Sequence, residues 1–113
     1  MSGTEPVTAE FELVCALDDL GVAEAALAEV NGVRVAMVRD EDGVVHAIND
    51  TCTHANVSLS EGEVDGCTIE CWLHGSRFDL NSGVPITPPA TLPVAVYPVR
   101  VQDGDVYVAV PAN

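Results

Sequence analysis

Five turn signals divide the chain into short pieces: Asn31-Gly32, Asp40-Glu41-Asp42-Gly43, Asp65-Gly66, Asn81-Ser82-Gly83 and Asp103-Gly104. Glycine after asparagine or aspartate reaches the positive-φ conformations that a tight hairpin turn requires. The runs between these turns are rich in valine and too short for stable helices, so they favour strands. Residues 11–17 read as a first strand closed by Asp18 and Asp19, and Asn31-Gly32 joins arms at 24–30 and 33–38. Residues 23–29 are alanine-rich and have helical propensity, but the segment is short and abuts the hairpin turn, so it is read as a strand. Further strands are expected at 44–48, 97–101 and 106–110, the last two joined by Asp103-Gly104. Pro85, Pro88, Pro89 and Pro93 make 87–93 an irregular loop, because proline cannot donate to a sheet ladder. The 113 residues show no repeat, low-complexity tract or linker. One all-β domain over residues 1–113, an antiparallel sandwich or barrel, is the expectation.

Aromatic residues make up only 4% of the chain, so its core must come from branched aliphatic side chains. The net charge is −14, from 18 acidic residues against Arg34, Arg39, Arg77 and Arg100, with no lysine. Such a surface repels phosphate backbones and anionic lipid, which argues against nucleic acid and membrane surfaces as partners. Either the acid keeps the protein soluble or it steers docking to a partner with a basic face. No apolar run approaches the roughly 20 residues that span a bilayer. Residues 1–10 are polar and lack the basic start of a secretory signal. A cytoplasmic location is expected.

Four cysteines in a cytoplasmic chain point to metal or redox chemistry before disulfides. Cys15 and Cys67 have no histidine close downstream and read as packing residues. Cys52-Thr53-His54 and Cys71-Trp72-Leu73-His74 each bring a thiol and an imidazole into one turn-like stretch. Two such loops facing each other offer two thiolates and two imidazoles around one point. A single zinc ion in a closed tetrahedron would accept that set. So would a [2Fe–2S] centre with cysteines on one iron and histidines on the other. Zinc fingers usually pair cysteine with cysteine and histidine with histidine, so one of each per loop favours the second. The 16 residues between His54 and Cys71 leave room for a hairpin through Asp65-Gly66.

Cys52-x-His54, 16 residues, and then Cys71-x-x-His74-Gly75-Ser76-x-Phe78-Asp79 resembles the Rieske ferredoxin family. The likeness runs from about residue 32 to 110 and is closest to the small ferredoxin components of bacterial non-haem iron oxygenase systems. It implies a Rieske-type antiparallel β-sandwich with a small cluster-binding subdomain of two ligand loops, within about residues 50–80. It further implies one [2Fe–2S] cluster per chain, with Cys52 and Cys71 on the inner iron and His54 and His74 on the outer. Ser76 is implied as a hydrogen-bond donor to a bridging sulfide.

High-potential relatives have a disulfide where this chain has Val57 and Leu73, and a tyrosine where it has Phe78. With fewer donors to sulfur and an acidic surface, the potential is expected at the low end of the Rieske range, about −150 to +300 mV. Trp72 stands where the family commonly has proline. It shields the cluster, forms part of a docking face or packs onto the domain, and the sequence leaves all three open. Thr87-Pro88-Pro89-Ala90 resembles the family's proline-rich loop that covers the cluster. His46 falls on a predicted strand with no nearby partner and is left out of the site.

Once the ligands are assigned, one histidine remains, too few for the two-His-one-carboxylate iron site of an oxygenase. There is no glycine-rich nucleotide fingerprint either. The expectation is an electron carrier rather than an enzyme: the ferredoxin of a dioxygenase system, passing single electrons from a flavin-dependent ferredoxin reductase to a terminal oxygenase or similar acceptor. A Rieske ferredoxin serving iron–sulfur assembly or another reductase, and a zinc-stabilised binding module without redox role, are the alternatives. A monomer is expected.

Overall fold

The computed structural model describes residues 10–53, 57–73, 75–88 and 90–111. Among these residues there are ten strands: β1 (Phe11–Ala16), β2 (Glu24–Val30), β3 (Val33–Arg39), β4 (Val45–Asn49), β5 (Val64–Asp65), β6 (Thr68–Glu70), β7 (Arg77–Asp79), β8 (Val96–Tyr97), β9 (Val99–Gln102) and β10 (Asp105–Ala109). They form three antiparallel sheets, ordered β1-β10-β9, β2-β3-β4-β8 and β5-β6-β7. None of the described helices is long and apolar enough to cross a membrane.

The β2–β3 hairpin forms as its turn demands. Asn31 and Gly32 both have positive φ, 53° and 79°, and the arms pair from Val30 with Val33 to Glu24 with Arg39. That pairing overrides the helical propensity of the alanines.

In β3, all four central residues from Val35 to Val38 are buried. Successive side chains point to opposite faces of a sheet, and here each face has its own core. Ala36 and Val38, with Ile48 of β4, pack against Ile69, Phe78 and the loops that carry Cys52 and Cys71. Val35 and Met37, with Val45 and Ala47, pack against Val106 and Val108 of β10. The central sheet thus separates a terminal sheet from a small sheet that carries the loops.

Two expected boundaries move. The strand read at 97–101 is two strands: Tyr97 pairs with Ala47 in the central sheet, and Val99 pairs with Val108 in the terminal one. Pro98 lies between them, and its fixed φ and missing N–H suit the point where the chain changes sheet. In the β5–β6 hairpin, Asp65 pairs with Thr68, so the turn residues are Gly66 and Cys67 rather than Asp65 and Gly66.

Candidate metal centre

Three loops meet beside the small sheet. The first leaves β4 and is folded back by hydrogen bonds. The Cys52 N–H donates to the Val57 carbonyl at 3.1 Å, and the Leu59 N–H to the Asp50 carbonyl at 2.6 Å. Asp50 is buried; its Oδ1 accepts the Ser60 N–H at 2.9 Å, and Arg34 Nη2 stands 3.6 Å from its Oδ2. A buried carboxylate is stable only when bonded or paired in this way. Asp50 therefore anchors the first loop, a role with no sequence signal beyond its place before Cys52.

The second loop joins β6 to β7. The Cys71 N–H donates to the Ser76 carbonyl at 2.6 Å, and the Gly75 N–H to the Cys71 carbonyl at 2.9 Å. The turn closes through Gly75 at φ 79°.

The third loop lies over both. Its Ala90 N–H donates to Ser76 Oγ at 3.0 Å. Thr87 Oγ1 accepts the Arg77 N–H at 2.8 Å, and the Leu92 carbonyl accepts the Thr53 hydroxyl at 2.6 Å.

Cys52 and Cys71 are 2% and 0% exposed and share one core. Two buried thiols on facing loops suit the sulfur half of a mixed sulfur and nitrogen iron–sulfur centre, where water must be kept from the thiolates. His54 and His74, expected to be the nitrogen half, lie outside the described residues, as does Pro89 of the third loop.

Ser76 is fully buried. Its oxygen accepts from a neighbouring loop, not from its own turn, so the hydroxyl proton is left to make a second bond. Phe78 and Leu80 fill the core below the loops. Trp72 is 51% exposed, so about half of its surface stays open to solvent and available to a partner. It borders a recess of about 270 Å³ with Glu61, Gly62, Glu63 and Glu70.

His46 corrects the sequence reading. It has a partner: Nε2 lies 2.8 Å from Asp40 Oδ2, and both residues are buried. Cys67, read as a packing residue, is half-buried and does pack against the core below the loops, and its Sγ also lies 3.8 Å from the same Nε2. Burial opposes ionisation of Asp40. Hydrogen bonds from His46 and from the Val44 and Asp42 N–H groups, with the His46 charge, outweigh it and hold the Asp40 pKa below the usual carboxylate value.

A family profile described as the Rieske [2Fe-2S] domain matches residues 10–98. The chain is 42% identical over 98 residues to ferredoxin CarAc of Metapseudomonas resinovorans, spanning 85% of this chain and 90% of that one. Its structure resembles the ferredoxin of carbazole 1,9a-dioxygenase from Nocardioides aromaticivorans, at 37% identity and a TM-score of 0.84, covering 89% and 98% of the two chains. It also resembles a chain in a complex of reduced oxygenase and oxidised ferredoxin in carbazole 1,9a-dioxygenase, at 40% identity and a TM-score of 0.80, covering 87% and 100%.

Proposed function

Because this chain belongs to the Rieske [2Fe–2S] domain family and is one of its ferredoxin-type electron carriers, we propose that it relays single electrons from a flavin-dependent reductase to a non-haem iron oxygenase or similar acceptor. The observation that carries the oxygenase half is the likeness to a ferredoxin solved in complex with its oxygenase. The cluster supplies a one-electron couple, with histidine ligation raising its potential above that of all-cysteine clusters.

Cys52, His54, Cys71 and His74 are the ligands in this reading. The burial of both thiols and the Cys-x-His and Cys-x-x-His spacing support that assignment. The third loop keeps water from the thiolates, and Ser76 directs its hydroxyl proton to the cluster. The protein works as a cytoplasmic monomer, since a shuttle must present the same face to donor and acceptor in turn.

Ser76→Ala is expected to lower the midpoint potential, because one fewer donor leaves the reduced, more negative state less stabilised. A hydrogen bond worth about 1 kcal/mol corresponds to roughly 40 mV for a one-electron couple. Redox titration followed by EPR reads the shift; a midpoint equal to wild type would show that the hydroxyl does not reach the cluster.

Exposed Trp72 and Leu73 on the second loop and Leu92 on the third provide an apolar contact surface, and Glu61, Glu63 and Glu70 provide negative charge beside it. Electrostatic steering of this kind is screened beyond about 8 Å at physiological salt. Oxidation of the reduced protein by a terminal oxygenase of the carbazole dioxygenase type is therefore expected to slow about tenfold or more from low to high salt. Stopped-flow absorbance measures the rate. A rate independent of salt would leave the acidic surface with no part in docking, and no electron transfer at any salt would reject this class of acceptor.

A further inference from the structure

Across the small sheet from the ligand loops, two turns are clamped together. The Glu41 N–H of the β3–β4 turn donates to the Gly66 carbonyl of the β5–β6 turn at 3.4 Å. Asp40 comes from the first turn, Cys67 from the second and His46 from β4. Their donor atoms, a carboxylate oxygen, a thiol sulfur and an imidazole nitrogen, all lie within 4.8 Å of one another.

The three side chains converge for local reasons. Asp40 Oδ1 accepts the Asp42 N–H at 2.9 Å and the Val44 N–H at 3.0 Å, which turns Oδ2 towards His46. His46 alternates with Val45 and Ala47 along β4 and so faces the small sheet, on the same side as Ile48. Cys67 is placed by the Leu80 N–H, which donates to its carbonyl at 2.9 Å, and Asn81 Nδ2 donates to its sulfur at 3.1 Å. Asp40 and His46 are 4% and 8% exposed, while Cys67 opens the group to solvent.

We propose that Asp40, His46 and Cys67 form a second metal site, separate from the cluster ligands, that takes a divalent zinc-type cation. The donor set decides the class of ion. A thiolate and an imidazole favour zinc-type ions over calcium or magnesium, which prefer all-oxygen shells. Three protein donors leave a fourth tetrahedral position for water. Ligand bonds of about 2.0–2.3 Å separate tetrahedral donors by roughly 3.3–3.6 Å. The observed separations, 2.8 Å from nitrogen to oxygen and 3.8 Å from sulfur to nitrogen, straddle that value, so small side-chain rotations admit an ion.

On binding, zinc takes the place of the proton on His46 Nε2: a neutral ring carries that proton over to Nδ1, and a doubly protonated ring releases it to solvent and keeps the one on Nδ1. The Cys67 thiol loses one proton to solvent, and the dication is neutralised by one thiolate and one carboxylate. Without the ion, burial and then the charges of Asp40 and Asp79 push the Cys67 thiol up from its ordinary value. The same negative field that opposes a free thiolate attracts a cation.

The test uses the cluster-loaded protein, dialysed against zinc sulfate and then passed through gel filtration. Elemental analysis is expected to return one zinc for every two irons, with the visible spectrum unchanged. Zinc should also slow alkylation of Cys67 by about tenfold or more, read by peptide mass spectrometry, because a metal-bound thiolate is shielded. Cys15 serves as the internal control and should react at the same rate with and without the ion. Cys67→Ala and His46→Gln are expected to retain the iron and lose the zinc. Failure of the native chain to retain zinc, equal retention by both variants, or zinc gained only as iron is lost would each overturn the site. The alkylation arm needs no variant, so a substitution that unfolds the chain does not rescue the proposal.

Discussion

Replacing Cys71 with alanine should give a colourless protein whose iron and acid-labile sulfide fall from about two each per chain to background. Cys67→Ala, four residues earlier, should keep both. The two cysteines lie on one short stretch of chain, but the fold puts them in different places. Cys71 is fully buried in the same core as Cys52. Its backbone is fixed in the second loop by bonds to Ser76 and from Gly75, and alanine can reproduce those bonds. In the proposed assignment, what alanine removes is a ligand, and the other three would not complete a di-iron set.

Because ligation contributes folding free energy, the Cys71 variant should also melt well below the loaded wild type. Cys67 sits on a turn at the other end of β6, facing His46 and Asn81. Iron and sulfide analysis of the two purified variants decides the matter. Native iron in Cys71→Ala, or loss of iron in Cys67→Ala, would mean that the thiols are assigned the wrong way round.

The turn dipeptides made much of the fold legible before any coordinates. Asn31-Gly32 and Asp103-Gly104 stand at the tips of real hairpins, and the turns flanking β3 and β4 placed both strands within a residue or so of their true ends. The alanine-rich arm became a strand because its partner β3 pairs along its whole length, a tertiary effect that propensity alone would have missed.

Several contacts carried no local signal. Asp40 meets His46 only because a turn folds β4 back beside β3, bringing together residues six apart that neither strand nor helix periodicity would pair. Ser76 bonds Ala90, 14 residues away, through a loop whose path no motif specifies. Exposure of Trp72 depends on which side of the second loop faces the domain. The cysteine half of the proposed ligand set gains support from burial, whereas the histidine half still rests on spacing.

Gly62→Ala should be among the most damaging single-methyl changes in the chain, although its backbone conformation is open to any residue, with φ −85°. The reason is a close approach. Gly62 ends the short 3₁₀ turn Leu59–Glu61 and donates its N–H to the Leu59 carbonyl at 2.9 Å. A β-carbon added there would lie 1.7 Å from the Glu70 carbonyl oxygen and 2.9 Å from its carbon. Carbon and oxygen normally stay about 3.3 Å apart even in their closest favourable contacts. Neither side can yield by rotating a side chain, since both are backbone. Glu70 must shift at the end of β6, with the Glu70-to-Glu63 hydrogen bond of 2.9 Å and the adjoining Cys71. Overpacking of this severity costs about 3 kcal/mol or more, a fall of more than about 10 °C in Tm for a domain of this size. Gly104→Ala is the control. It has positive φ, 81°, but nothing within 4 Å of the added methyl, so it should cost only about 1 kcal/mol of backbone strain. Thermal melts of the two cluster-loaded variants, followed by the visible absorbance, compare a clash with strain alone. If Gly62→Ala melts no lower than Gly104→Ala, the loop carrying Cys71 is not held against the 3₁₀ turn as tightly as the backbone contact requires.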